Sequence, residues 1–152
     1  MPEHQLNFNR DACRLCGMSR ERIEDGEPCL PKTQLVNGSP VPTDRSHVAL
    51  DPATGMQRDY VVLTPAERAK GFIKPLRLSY RHKVCNACTH MATAIAETYA
   101  RDPWFYSGTF CVQCRNHFPL DEFVWLDGEP MDPALWPAEE LARLAKLAQE
   151  PT

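Results

Sequence analysis

Long apolar runs, abundant glycine and charge of one sign are all missing from this chain of 152 residues. A membrane-crossing helix needs about 20 consecutive apolar residues, and no stretch approaches that length. The polar start MPEHQLNFNRDAC does not have the pattern of a signal peptide, so a cytosolic setting with reduced thiols is expected. Seven glycines stand against fourteen prolines, and proline fixes φ and removes a donor. The backbone should therefore be extended and irregular over much of its length. With 17 basic and 20 acidic residues the net charge is −3, which lacks the basic surface that tight non-specific nucleic-acid binding needs to displace counterions. Also absent are a nucleophile–base pair, a phosphate-cradling glycine loop and a spaced pair of carboxylates. An enzyme is the least supported reading.

Cysteine, by contrast, is patterned. Cys13/Cys16, Cys85/Cys88 and Cys111/Cys114 are three Cys-x-x-Cys pairs, and Cys29 makes the total seven. An odd count in a reducing compartment argues against a disulfide framework. The thioredoxin-like βαβ setting of a redox pair is missing as well. Two residues between thiols let one tight turn grip one metal ion, and two such turns complete the tetrahedral shell of structural zinc. The later pairs, separated by 22 residues, come close to the usual spacing of such a site. Cys85, Cys88, Cys111 and Cys114 are thus the expected ligands of a Zn2+ ion. His82, three residues before Cys85, competes with Cys88, and His90 is a further competitor. Arg81, His82, Lys83, Arg115 and His117 crowd the same segments and would offset the thiolate charge.

Cys13, Cys16 and Cys29, with His47 or His4 as fourth ligand, could form a second, N-terminal zinc site; the alternative is that Cys29 is an ordinary small buried residue and the first pair stays reduced. Gly17 would let the first knuckle close.

The hydrophobic fraction of 43% suffices for a modest core, as one domain or as two metal-nucleated lobes. Residues 1–63 read as an irregular N-terminal lobe, 64–130 as the zinc-binding core and 131–152 as a C-terminal amphipathic helix. Within the first, His47–Leu50 and Tyr60–Leu63 suggest a hairpin about the turn Asp51–Gly55. Thr64-Pro65-Ala66-Glu67 is a capping box that opens a short helix ended by Gly71. Phe72–Tyr80 reads as extended, with Phe72, Leu76 and Leu78 buried.

Thr89–Arg101 has helical periodicity and stops at Asp102-Pro103, which would place Cys85/Cys88 at a positive helix N-terminus. Glu122–Leu126 is an expected strand, and Pro137–Gln149 an amphipathic helix whose face includes Leu141 and Leu144. The fold class expected is a small α+β zinc-binding fold, treble-clef or zinc-ribbon-like, with short strands, two or three short helices and extended irregular segments.

Residues 66–75 (AERAKGFIKP) and 97–111 (ETYARDPWFYSGTFC), followed by Cys114 and His117–Trp125 (HFPLDEFVW), carry a resemblance. Over roughly residues 60–128 the chain resembles a family of small zinc-ribbon-like proteins encoded by tailed bacteriophages and prophages. In that family pattern Cys85, Cys111 and Cys114 are firmer positions than Cys88, which raises His82. The knuckle Cys111-x2-Cys114 with Phe118-Pro-Leu-x2-Phe123 is also similar to those of some phage HNH-type endonucleases. The His/Asn/His constellation those enzymes require is not found.

The resemblance implies a phage setting: the host cytoplasm during assembly, then the virion. It implies a non-enzymatic, zinc-stabilised structural protein, head-decorating or stabilising, whose partners are other phage structural proteins such as a capsid protein. Trp104, Phe105, Tyr106, Trp125 and Trp136 are candidate anchors for such contacts, and Phe110, Phe118 and Phe123 candidates for the core. The alternative is a nucleic-acid-binding or regulatory zinc protein, using Lys74, Arg77, Arg81, His82, Lys83 and Arg115 on phosphates with Tyr80 as a stacking platform.

Overall fold

The computed structural model describes residues 19–24, 26 and 31–149. In chain order these form α1 (Arg20–Glu24), β1 (Thr33–Leu35), β2 (Val61–Leu63), α2 (Pro65–Arg68), β3 (Ser79–His82) and β4 (Cys88–His90). Then follow α3 (Thr93–Arg101), β5 (Gly108–Cys111), β6 (Asn116–Pro119), β7 (Phe123–Trp125) and α4 (Ala138–Gln149). The expectation of a small α+β architecture with short strands holds. Among the described residues the named strands all pair antiparallel: β1 with β2, β4-β3-β7 as a three-stranded sheet, and β5 with β6.

The β-branched segment before Thr64 does become a strand, but its partner is β1, with Gln34 opposite Val62. His47 lies in a 3-10 turn, Ser46–Val48, and the two arms meet irregularly about the expected turn, through the bridge Leu50 to Gln57 and the bonds of Asp51 N–H to the Met56 carbonyl, Arg58 N–H to the Ala49 carbonyl and Asp59 N–H to the His47 carbonyl. The turn between them is as read: Gly55 N–H donates to the Asp51 carbonyl at 2.7 Å, and the Asp51 carboxylate accepts from Ala53 N–H at 2.9 Å. Thr64 caps α2, its hydroxyl accepting from Glu67 N–H at 3.4 Å. Thr98, fully buried, ties β2 to α3 by accepting from Leu63 N–H at 3.1 Å and donating to the Ala94 carbonyl at 2.8 Å.

The expected helix from Thr89 begins four residues later. Cys88–His90 pairs with β3 in register, because residues that continue a hairpin gain ladder bonds that an isolated first helical turn does not supply. Met91 N–H then bonds the Leu78 carbonyl at 2.9 Å, and α3 starts once the strand has closed.

Burial also inverts one sequence expectation. Phe72, Leu76 and Leu78 are all exposed, whereas Lys74 among them is buried to 8% exposure. Ile73 and Lys74 N–H both bond the Ala100 carbonyl, which turns the Lys74 side chain inward. Its ammonium meets Glu129 at 2.8 Å and Glu140 at 3.0 Å and lies 4.6 Å over the Trp136 ring. Arg77 similarly pairs with Asp127 and Glu129 and covers Trp125 at 4.4 Å. A buried cation is tolerable only when so paired, and here the pairing docks α4, whose Leu144 is fully buried.

The core is a cluster of Tyr80, Tyr99, Cys111, Leu120, Phe123, Trp125 and Met131. Trp125 and Trp136 belong to the interior, not to an interaction surface, while Trp104 is exposed. Tyr80 packs edge-on against Phe123 and Trp125 and donates its hydroxyl proton to the Phe110 carbonyl. Burial pushes that phenol up to about 12, so it stays a donor.

Candidate metal centre

Two turns face one another across this core. In β3, side chains alternate, so Tyr80 and His82 point inward and Arg81 outward. The chain then turns through Lys83 to Ala87, and Asn86 takes a left-handed conformation with φ 63°. Its N–H returns to the His82 carbonyl at 2.7 Å. In the second turn Cys111 ends β5, Arg115 is left-handed with φ 56°, and its N–H returns to the Cys111 carbonyl at 2.8 Å. His82-x2-Cys85-Asn86 and Cys111-x2-Cys114-Arg115 are therefore the same device: ligand, two residues, ligand, left-handed residue.

The result is a four-residue cluster of His82, Cys85, Cys111 and Cys114 whose donor atoms all lie within 4.8 Å of one another. His82 Nδ1 is 3.5 Å from Cys85 Sγ and 3.6 Å from Cys114 Sγ. Cys85 Sγ lies 3.4 Å from Cys111 Sγ. A tetrahedron with Zn–S bonds of about 2.3 Å and a Zn–N bond of about 2.0 Å has edges of roughly 3.5–3.8 Å. The cluster fits a metal ion of that kind.

His82 is held from its far side. Its Nε2 is 2.9 Å from the Glu122 carboxylate, an arrangement that places the proton on Nε2 and leaves Nδ1 as the donor atom. Phe123 stacks on the imidazole at 4.6 Å and Phe118 lies against it at 4.7 Å. The Cys85 thiol is held down to about 7, first by the Ala87 backbone N–H and then by Cys111, His82 and Cys114. Cys114 is pushed up to about 11 by desolvation and by the neighbouring thiols. Charging one sulfur makes charging the next harder, and a dication at the centre reverses that penalty.

Cys88 is not part of the cluster. It stands directly across from Arg81 in the ladder, and cross-strand partners share a face, so both lie exposed on the outer side. Thr89, opposite Tyr80, takes the inner side. His82 thus occupies the place expected for Cys88, because the hairpin turns around Lys83–Ala87 and not at Cys85–Cys88. The depressed Cys85 thiol owes nothing to a helix N-terminus, since α3 begins only at Thr93.

His90 Nδ1 is engaged by the Ser79 hydroxyl, and His117 Nε2 by the Tyr60 hydroxyl at 2.9 Å. Cys13, Cys16 and Cys29 lie outside the described residues. His47 is buried, and its Nδ1 has no hydrogen-bond partner among the described residues.

The signal that sequence reasoning underweighted is the alternation Tyr80/His82 on one side of β3, which brings an imidazole to the core-facing end of a turn. Glu122 went unnoticed because nothing in its local sequence ties it to His82, 40 residues away. Among the described residues no helix is long and apolar enough to cross a membrane. Compared with known protein families, curated proteins and solved structures, the chain matches none.

Proposed function

We propose that this protein is a zinc-stapled, non-enzymatic module that binds other proteins, and that it serves as a head-decorating or stabilising component of a tailed-phage virion. The observation that carries the reading is the ligand set. Three thiols and one imidazole fill four positions and leave none for water or substrate, as in structural rather than catalytic zinc. A tetrahedral set of three soft thiolates and one imidazole nitrogen favours zinc over the hard oxygen-seeking cations. Two facing knuckles on short antiparallel strands support the zinc-ribbon-like assignment.

Partner binding is supported by Phe72, Leu76 and Leu78, three exposed apolar side chains within seven residues, a concentration that marks interaction surfaces more than scattered singles do. The phage setting rests on the resemblance carried by residues 66–75 and 97–125. The nucleic-acid alternative loses its platform: Tyr80 is 2% exposed, and Lys74 and Arg77 are spent on carboxylates.

Metal analysis of the purified protein should give at least one zinc per chain, and two if the N-terminal cysteines with His47 hold another. Mass spectrometry of purified particles should find the chain at stoichiometric copy number. Less than one zinc sinks the staple; absence from particles sinks the virion role.

A further inference from the structure

A cleft of about 860 Å³ is lined by residues from Val36 to Val61, from Tyr80 to Phe110 and by His117, and none of the four clustered residues His82, Cys85, Cys111 and Cys114 lines it. Its walls include Tyr60, Phe105, Tyr106 and Phe110, and its margin carries Arg45 and Arg58. Both arginines are exposed, and neither is in an ion pair among the described residues, in contrast to Arg68, Lys74 and Arg77. His47 also lines the cleft. It is 9% exposed, and its Nδ1 finds no hydrogen-bond partner among the described residues. A polar atom buried without a partner is costly in any fold, and a ligand atom in the cleft would relieve that cost.

We propose that this cleft binds a planar heteroaromatic ligand carrying an anionic group, the chemistry that a nucleoside monophosphate combines. The volume lies in the range of small-molecule sites. Aromatic walls stack on a flat ring whatever its substituents. His47 Nδ1 supplies a directional hydrogen bond to a ring heteroatom, and Arg45 with Arg58 supplies charge for a phosphate at the margin. The tyrosine hydroxyls nearby are already committed, Tyr60 to His117 and Tyr106 to the Val61 carbonyl at 2.6 Å. His47 is thus the buried polar side chain of the cleft with an atom that has no partner among the described residues.

The test is titration of the zinc-loaded full chain, followed by calorimetry and amide NMR, with AMP, adenosine and inorganic phosphate as separate probes. AMP should saturate and shift the amides of His47, Thr109 and Phe110, adenosine should bind more weakly, and phosphate weaker still. His47→Ala and Arg58→Gln should each weaken AMP binding about tenfold with zinc content unchanged. Arg58 is exposed, so its variant folds even where His47→Ala does not. No saturation by AMP, or phosphate binding as tightly as AMP, overturns the proposal. So does loss of a second zinc in His47→Ala, which would make His47 a metal ligand instead.

Discussion

Glu122 holds His82 by its Nε2 at 2.9 Å, and this contact decides which imidazole nitrogen faces the three thiols. A carboxylate behind a metal-bound histidine fixes its ring, sets its tautomer and raises its basicity. Glu122→Ala should therefore weaken zinc affinity about 10–100-fold, measured by competition with a chromogenic chelator. Glu122→Gln, which keeps an acceptor oxygen, should lose less. Equal affinity in all three proteins would show that the contact is incidental.

The identity of the fourth ligand separates the two readings of the cysteine pattern. Cys88→Ser should retain its zinc and its stability. His82→Ala should lose metal more severely than any Glu122 variant, because it opens the shell itself. Cobalt substitution gives an independent check: the charge-transfer band should have the intensity of three thiolates and be unchanged in Cys88→Ser. A weakened band in that variant would return Cys88 to the site.

Gly55 ties the N-terminal turn to the second knuckle. Its φ is 82°, and a Cβ there would sit 2.2 Å from the Arg115 carbonyl oxygen, one residue beyond the ligand Cys114. Backbone cannot yield as a flexible side chain can. Gly55→Ala should lower the thermal midpoint and speed zinc release to a chelator. Gly38 and Gly128 also have positive φ, but a Cβ added at either would meet nothing within 4 Å, so alanine there should cost only the conformational strain of about 1 kcal/mol. Matching losses at all three positions would remove the argument from contact.

Glu140 offers a test in pH. Arg143 first, and then Lys74, hold its carboxyl down to about 2 from an ordinary 4.5. A carboxyl depressed in the folded state stabilises it above the unfolded pKa, and that contribution is lost as pH falls through the folded one. The stability difference between the parent chain and Glu140→Gln should thus be constant above about pH 4.5 and shrink toward pH 2. Chemical denaturation across that window, followed by tryptophan fluorescence, reads it; a difference that is flat throughout contradicts the pairing.

The interior tolerates truncation least at Phe123, fully buried against Tyr80 and stacked on His82. Phe123→Ala should cost about 3–5 kcal/mol and lower zinc affinity with it. A purely local cavity would leave the metal untouched.

Local chemistry was enough to reveal part of this protein. Thr64 and Glu67 specified a cap and Asp102-Pro103 a helix end, because each acts within a few residues of itself. The Cys111-x2-Cys114 turn was legible for the same reason, and so was a thiol-rich cluster that could hold a metal ion. Ligand choice was not. His82 and Cys88 both lie three residues from Cys85, and spacing alone cannot rank them. Only the register of β3 against β4, itself set by pairing with β7 and the core behind it, turns His82 inward and Cys88 out. The same holds for Lys74, buried among residues expected to be more apolar than it, because Glu129 and Glu140 arrive from distant parts of the chain. The spacing of the thiols is enough to announce a cluster able to hold a metal ion, but which side chains compose it depends on facing direction, and that is set by partners far along the chain.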